Sequence, residues 1–260
     1  MNIVIIGAGN LATQLGLALK DAGQEVVQVY SRTKESAKLL ADRLSCAWTI
    51  STNDILEDAD YYIFSVKDSV LELLINEVCK KKSKGTFLHT AGSLPYDIFK
   101  AKVKCYGVLY PLQTFSKERK VDFKEIPIFI EGSTVEAYRR LQMLAELLSP
   151  KIYPLTSEAR RYLHLAAVWA CNFTNHCYTI AQDVLEREQI PFEVLLPLIN
   201  ETARKVNEVK PNKAQTGPAV RYDRNVIEKQ INLMESSPLQ QELYKLLSKS
   251  IHKTNSNKNT

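Results

Sequence analysis

Apolar and polar positions fall into alternating blocks through the first half of the chain, and the block lengths set the architecture. The sequence opens on Ile3-Val4-Ile5-Ile6, a β-branched apolar run of strand length. Runs of the same kind recur at 25–30, 47–50, 61–66, 86–90, 106–110 and 126–131. Between them, residues 11–22, 33–44, 68–82 and 133–148 place apolar side chains at helical spacing. Ala37, Leu40, Ala41 and Leu44 form one such stripe, Gly23 closes the first helix, and Asp68 is placed to cap the third. Buried-type strands alternating with helices predict an α/β protein with a parallel, doubly wound sheet.

The pattern changes near Pro154. Residues 157–188 contain no glycine, no proline and no strand signal, which predicts one long, mostly apolar helix. Pro191 starts another, to about 209, with Leu195, Leu198, Ile199, Thr202 and Val206 on one face. Residues 211–223 read as a loop, 225–235 and 239–250 as helices, and the polar stretch after Ile251 as a disordered tail. The expected division is therefore a sheet domain at 1–154, an all-helical domain at 155–252 and a tail at 253–260. The first helix of the second domain is too apolar to stand in water alone, which predicts a homodimer.

Composition narrows the function classes. A chain of 260 residues favours two domains, and 45% hydrophobic with 24% charged residues is ordinary globular usage. The net charge of +5 is spread out, without the basic–aromatic pattern of a nucleic-acid surface. The densest basic run, Lys80-Lys81-Lys82-Ser83-Lys84, reads as a solvated helix end complementing the helix dipole. No stretch is long and apolar enough for a membrane span, and Met1-Asn2-Ile3 enters the first strand with no secretory leader. Five cysteines, odd in number and without close metal-type pairs, imply reduced thiols, a cytoplasmic protein and no metal site.

The candidate chemistry starts at the first turn. Gly7-Ala8-Gly9-Asn10-Leu11-Ala12 follows the first strand and opens the first helix, the context a dinucleotide-binding fingerprint requires. Gly7 permits the tight turn, Gly9 lets a pyrophosphate approach the backbone, and the amides at Asn10 and Leu11 open the helix N-terminus that favours its charge. The competing reading is a structural β–α turn that binds no nucleotide. At the end of the second strand, Ser31-Arg32-Thr33 stands where an NAD site carries an acidic residue. Arg32 can pair with a 2′-phosphate and both hydroxyls can donate to it, which favours NADP(H); Ser31 and Thr33 can also merely cap the next helix.

Further candidates lie at the carboxyl ends of other strands, where ligands bind in such sheets. Ser65, Val66 and Lys67 follow the fourth strand, and Thr90, Ala91 and Gly92 follow the fifth, all as cofactor contacts. Lys67 reads equally as a surface lysine, and His89 as a structural histidine. Ser93, Gln113 and Thr114 are candidate substrate contacts, although a rigid turn explains Pro111 and its neighbours as well. The long helix carries His164, Asn172, Asn175 and His176 in an apolar run, with positions 164, 168, 172 and 175 on one stripe. They line a substrate site or hydrogen-bond between helices at a dimer interface. Arg221 can clamp a substrate carboxylate or phosphate, or pair with Asp223 to fix its loop.

These segments, together with Tyr110-Pro111-Leu112-Gln113-Thr114-Phe115, His164-Leu165-Ala166-Ala167, Cys171-Asn172-Phe173-Thr174-Asn175-His176 and Thr216-Gly217-Pro218-Ala219, resemble the bacterial Rossmann-like proteins with a C-terminal domain of unknown function. The resemblance covers nearly the whole chain. It implies an NADP-type Rossmann domain and a helical domain like the C-terminal domain of 6-phosphogluconate dehydrogenase, in a dimer. The first domain is also similar to pyrroline-5-carboxylate reductase and to the F420-dependent NADP reductases. Dehydrogenases of the 6-phosphogluconate and hydroxyisobutyrate type carry Lys and Asn four residues apart on the corresponding helix. With Asn172 in the Asn position, Val168 takes the place of the lysine, and valine transfers no proton. The expected function is an NADP-dependent reductase or dehydrogenase acting on a small carbonyl, imine or hydroxy compound bound between the two domains. His164 is the expected acid/base and Asn172 the expected orienting residue. The alternative is a non-catalytic NADP-binding module that reports cofactor state to a partner.

Overall fold

The computed structural model describes residues 1–80 and 84–256. The chain forms two compact units, Met1–Cys171 and Asn172–Thr260. The first is built on an eight-stranded sheet of order β3-β2-β1-β4-β5-β6-β7-β8. Its strands are β1 (Asn2–Ile6), β2 (Glu25–Tyr30), β3 (Ala47–Thr49), β4 (Tyr61–Phe64), β5 (Thr86–His89), β6 (Tyr106–Pro111), β7 (Ile128–Gly132) and β8 (Ile152–Pro154). β4 and β5 are buried along their whole length, and β1 in all but its first residue, because helices cover both faces.

One face packs Ile3, Ile5, Leu88, Leu109 and Ile130 against α1 (Asn10–Asp21), α2 (Lys34–Leu44) and α4 (Val135–Glu146). The stripe read from sequence, Ala37, Leu40, Ala41 and Leu44, is the buried face of α2. The other face packs Val4, Ile6, Tyr62, Phe64 and Phe87 against α3 (Asp68–Cys79) and Phe99, which follows β5 in a 3-10 turn at Tyr96–Phe99. Tyr62 and Phe87 stack with centroids 4.7 Å apart. The last helix of this unit is α5 (Ser157–Ala167).

The sheet departs from the expected all-parallel form. β1 to β6 run parallel, but β7 pairs antiparallel with β6, Tyr110 opposite Phe129, and β8 then runs parallel to β7. A parallel pairing needs a crossover helix, and residues 112–127 supply only a loop and a 3-10 turn, Phe123–Glu125. Asp68 does not cap the third helix: Lys67 occupies the cap position, and Asp68 accepts a hydrogen bond from the Ser93 hydroxyl instead. That helix ends at Cys79; its expected extension and the middle of the lysine run lie outside the described residues.

The expected helix over 157–188 is divided. After α5, residues Val168–Phe173 form a π-helical segment, and α6 (Thr174–Glu186) follows. The boundary between the compact units falls inside this π segment, and α5 lies in the unit that holds the sheet. In the second unit, a 3-10 turn at Phe192–Leu195 leads into α7 (Leu196–Glu208). The stretch read as a loop holds two short helices, α8 (Pro211–Ala214) and α9 (Pro218–Arg221), each with proline in its first turn. α10 (Arg224–Asn232) and α11 (Pro238–Ser256) complete it. α11 runs through Ser256, so residues 252–256, read as part of a disordered tail, are helical. Ala219, Ile227, Met234 and Ser248 are its buried anchors, whereas α6 and α7 bury no residue.

Candidate active site

At the end of β1 the chain turns where only glycine fits. Gly7 has φ +124°, and a Cβ there would meet the Ser65 carbonyl oxygen at 2.1 Å. Gly9 is the N-cap of α1, and a Cβ on it would meet nothing within 4 Å. No side chain caps the first turn of α1. Open space in front of uncapped, aligned amides suits a pyrophosphate, so these residues pass the test for a dinucleotide. Asn10 takes part in a second way. Its side-chain amide donates to the Phe115 carbonyl at 2.9 Å, and the buried Gln14 donates to the Ser116 carbonyl at 2.7 Å. The loop after β6 is thereby strapped across α1, leaving the backbone amides of Asn10 and Leu11 for a phosphate.

At the end of β2, Ser31 donates its amide to the Thr49 carbonyl at 3.2 Å, and Arg32 is exposed. Thr33 holds the N-cap position of α2, yet its hydroxyl makes no capping hydrogen bond. The capping alternative therefore does not account for Thr33. Two hydroxyls and a guanidinium remain in series, a donor set suited to a phosphate monoester. Lys34, next in line, lies over the Trp48 ring at 5.9 Å.

The ends of β4 and β5 meet in the middle of the sheet. Ser65 is buried and donates its amide to the Ile6 carbonyl at 2.8 Å; Val66 packs against the Gly7 turn; Lys67 is exposed. Thr90 is buried and donates its amide to the Phe64 carbonyl at 3.1 Å. His89 is fully buried, with Nδ1 accepting from the Ala91 amide at 3.1 Å and Nε2 on the Pro95 carbonyl at 3.2 Å. Burial, and then the positive charge of Arg160, push its pKa down to about 3. It is a neutral structural histidine that shapes the Thr90–Ala91–Gly92 loop.

α5 brings the remaining groups onto this region. Thr156 caps it by accepting from the Ala159 amide. One turn in, Arg160 is only 1% exposed and donates to Glu131 Oε2 at 2.8 Å, the Leu94 carbonyl at 2.6 Å and Ser157 Oγ at 3.2 Å. Glu131, at the end of β7, also accepts from the Ser157 amide and hydroxyl at 2.9 and 2.6 Å. This ionic knot pins the start of α5 to the sheet. One turn further, His164 lies against Gly92, where a Cβ would meet its Nδ1 at 2.6 Å. The same Nδ1 is 2.9 Å from the Tyr110 hydroxyl at the end of β6. Among the described residues Nε2 of His164 has no hydrogen-bond partner. Burial raises the Tyr110 pKa, opposed by the charge of Arg160.

The structure thus brings His164 together with Gly92, a proposed cofactor contact. Ser93 is held by Asp68 next to it. Gln113 and Thr114 are exposed, with Gln113 folded back to accept from the Thr114 amide at 2.9 Å. Asn172 and Arg221 belong to the second unit and are exposed; Val168 opens the π segment. Arg221 forms no ion pair among the described residues, and Asp223 instead caps α10 by accepting from the Val226 amide. Sequence reading missed Tyr110, Arg160 and Glu131. The available signal was an arginine one helical turn before His164, on the face that must meet the sheet. No group of His, Cys, Asp or Glu among the described residues is arranged to hold a metal ion.

Fold and glycine turn are those of a Rossmann-type dinucleotide-binding protein. Residues 2–88 match the family described as NADP oxidoreductase, coenzyme F420-dependent, and residues 126–251 match Domain of unknown function (DUF2520). A solved Bacteroides fragilis protein described as a putative NADP oxidoreductase is 50% identical over 97% of this chain and 98% of its own, with a TM-score of 0.94. The chain belongs to this family of Rossmann-type NADP oxidoreductases carrying the DUF2520 domain. Two more distant structures share the fold. An imine reductase from Myxococcus stipitatus, in complex with NADP+, is 15% identical over 97% of this chain and 92% of its own, TM-score 0.67. A 1-pyrroline-5-carboxylate reductase from Streptococcus pyogenes is 16% identical over 98% of each chain, TM-score 0.63. No curated protein matches the chain.

Proposed function

We propose that this protein is an NADP(H)-dependent reductase of a small carbonyl or imine compound, with His164 as the acid/base and Arg32 selecting the phosphorylated cofactor. The observation that carries the reading is the position of His164: its ring rests on Gly92, in the loop that continues β5. The glycine turn and α1 N-terminus hold the pyrophosphate, and Ser31, Arg32 and Thr33 hold the 2′-phosphate. Ser65, Val66, Lys67, Thr90, Ala91 and Gly92 form the wall between. When bound, NADPH supplies the hydride that reduces the substrate carbon. His164 donates a proton from Nε2 to the substrate oxygen or nitrogen as Nδ1 takes up the Tyr110 phenolic proton, which water then replaces. With Val168 unable to serve, no lysine mechanism operates on this helix. Ser93, Gln113 and Thr114 remain candidates for substrate contact, as do Asn172 for orienting it and Arg221 for a distal carboxylate, each to be tested by substitution.

The test is NADPH oxidation against a panel of small imines and carbonyls. His164→Ala should lower kcat by about 10²–10⁴-fold while NADPH affinity and fold persist. A loss below about tenfold would remove His164 from the mechanism.

We infer also that the protein is a homodimer joined through its helical unit. Leu196, Leu198, Val206, Leu233 and Leu246 are between 44% and 75% exposed in the single chain, an apolar surface that water alone does not favour. Light scattering at micromolar concentration checks it; a monomer contradicts it. No helix among the described residues is long and apolar enough to cross a membrane. The cytoplasm suits five cysteines, an odd number without close pairs.

A further inference from the structure

The imidazole of His164 is held where three elements meet. The β5 loop supplies Gly92, whose missing side chain makes room for the ring. β6 supplies the Tyr110 hydroxyl, 2.9 Å from Nδ1. α5 supplies the histidine itself, one turn beyond the buried Arg160–Glu131 pair that fixes the helix on the sheet. We infer that Tyr110 is the positioning residue of this site: it donates its phenolic hydrogen to Nδ1 of His164, locking the ring in the Nε2–H tautomer with Nε2 as the proton-transferring atom. This rests on the proposed role of His164 and adds what sets its tautomer.

The direction of the hydrogen bond follows from satisfaction of polar groups. Among the described residues the Tyr110 hydroxyl has His164 Nδ1 as its only hydrogen-bond partner. Tyr110 is 8% exposed, so a phenolic hydrogen aimed elsewhere would be left unpaired in a nearly dry site. A neutral histidine with its hydrogen on Nδ1 would force that arrangement. With the hydrogen on Nε2, Nδ1 accepts from the phenol and both groups are satisfied. Burial keeps the phenol in its neutral, donating form. Arg160 contributes by geometry: its side chain reaches Glu131, Leu94 and Ser157 at once, so the face of α5 turned to the sheet is set before His164 is reached.

The test is nitrogen-15 NMR of the whole protein labelled at its four histidines, at a pH where His164 is neutral. The wild-type ring should show the Nε2–H tautomer alone, and Tyr110→Phe should give a mixture in which the Nδ1–H form rises to a measurable share. In the reductase assay Tyr110→Phe should lower kcat about tenfold with KM and NADPH affinity unchanged, and the loss should vanish in a His164→Gln background. A wild-type Nδ1–H ring, or a tautomer pattern that Tyr110→Phe leaves unchanged, overturns the inference. The wild-type spectrum carries the first arm even where the variant folds poorly. His164→Ala retaining full kcat would overturn the catalytic role instead, whatever the spectra show.

Discussion

The two units of this chain solve packing differently. In the sheet unit, β4 and β5 are buried at every residue, β1 at all but its first, and even an arginine, Arg160, is taken inside with its partners. In the helical unit, α6 and α7 bury nothing, and Leu198, Leu233 and Leu239 are each more than 60% exposed. The first unit buries a core on both faces of its sheet within one chain. The second presents apolar helix faces that single-chain packing leaves in water, which is why a second copy is the expected cover.

The largest expected effect lies in the sheet unit. Arg160→Met leaves the Glu131 carboxylate without its cation in a site where it is 15% exposed, and should cost about 3–5 kcal/mol. Urea unfolding should show that loss at every protein concentration. Breaking the helical unit should look different. Leu198→Asp, harmless on a truly exposed helix, should weaken the dimer by about 100-fold, or about 2.7 kcal/mol. Its effect on stability should grow as the protein is diluted. A concentration-independent effect would undo the contrast between the units.

Ligand binding sharpens the comparison within the sheet unit. Arg32→Ala should reduce NADPH affinity by about 1.5–3 kcal/mol and leave NADH affinity unchanged, read by calorimetry. Equal binding of the two cofactors by the wild type would remove the 2′-phosphate assignment. His89 adds a pH-dependent test. His89 stays neutral in the fold down to about pH 3, whereas in the unfolded chain it takes a proton near pH 6.5. Its contribution is therefore whole above pH 6.5 and is lost as pH falls below it, by about 2 kcal/mol at pH 5. His89→Gln should flatten that slope in urea unfolding at pH 7 and pH 5.

What was legible in the sequence follows the same division. The β-branched runs and the Gly7–Gly9 turn mark β1, β2, β4 and β5 because buried parallel strands and glycine-only turns leave unmistakable residue types. The antiparallel entry of β7 was not legible, since orientation depends on what the connecting loop does in space and not on the strand's own pattern. β8 carries the exposed Tyr153 and a proline, so it has no apolar run to announce it. His164 stood out as a polar residue in an apolar helix. Its partner Tyr110 did not, because it lies 54 positions away and meets His164 only once the sheet is assembled. The π segment at Val168–Phe173 has residues any α-helix accepts, and nothing in their order distinguishes it.

The most direct test of the central claim is a crystal structure of the protein with NADPH. The account predicts the adenosine 2′-phosphate on Ser31, Arg32 and Thr33, and the nicotinamide ring against Gly92 with Nε2 of His164 facing it. A nicotinamide resting on another wall, with His164 out of its reach and still bound only to Tyr110, would contradict the account and leave His164 a structural residue like His89.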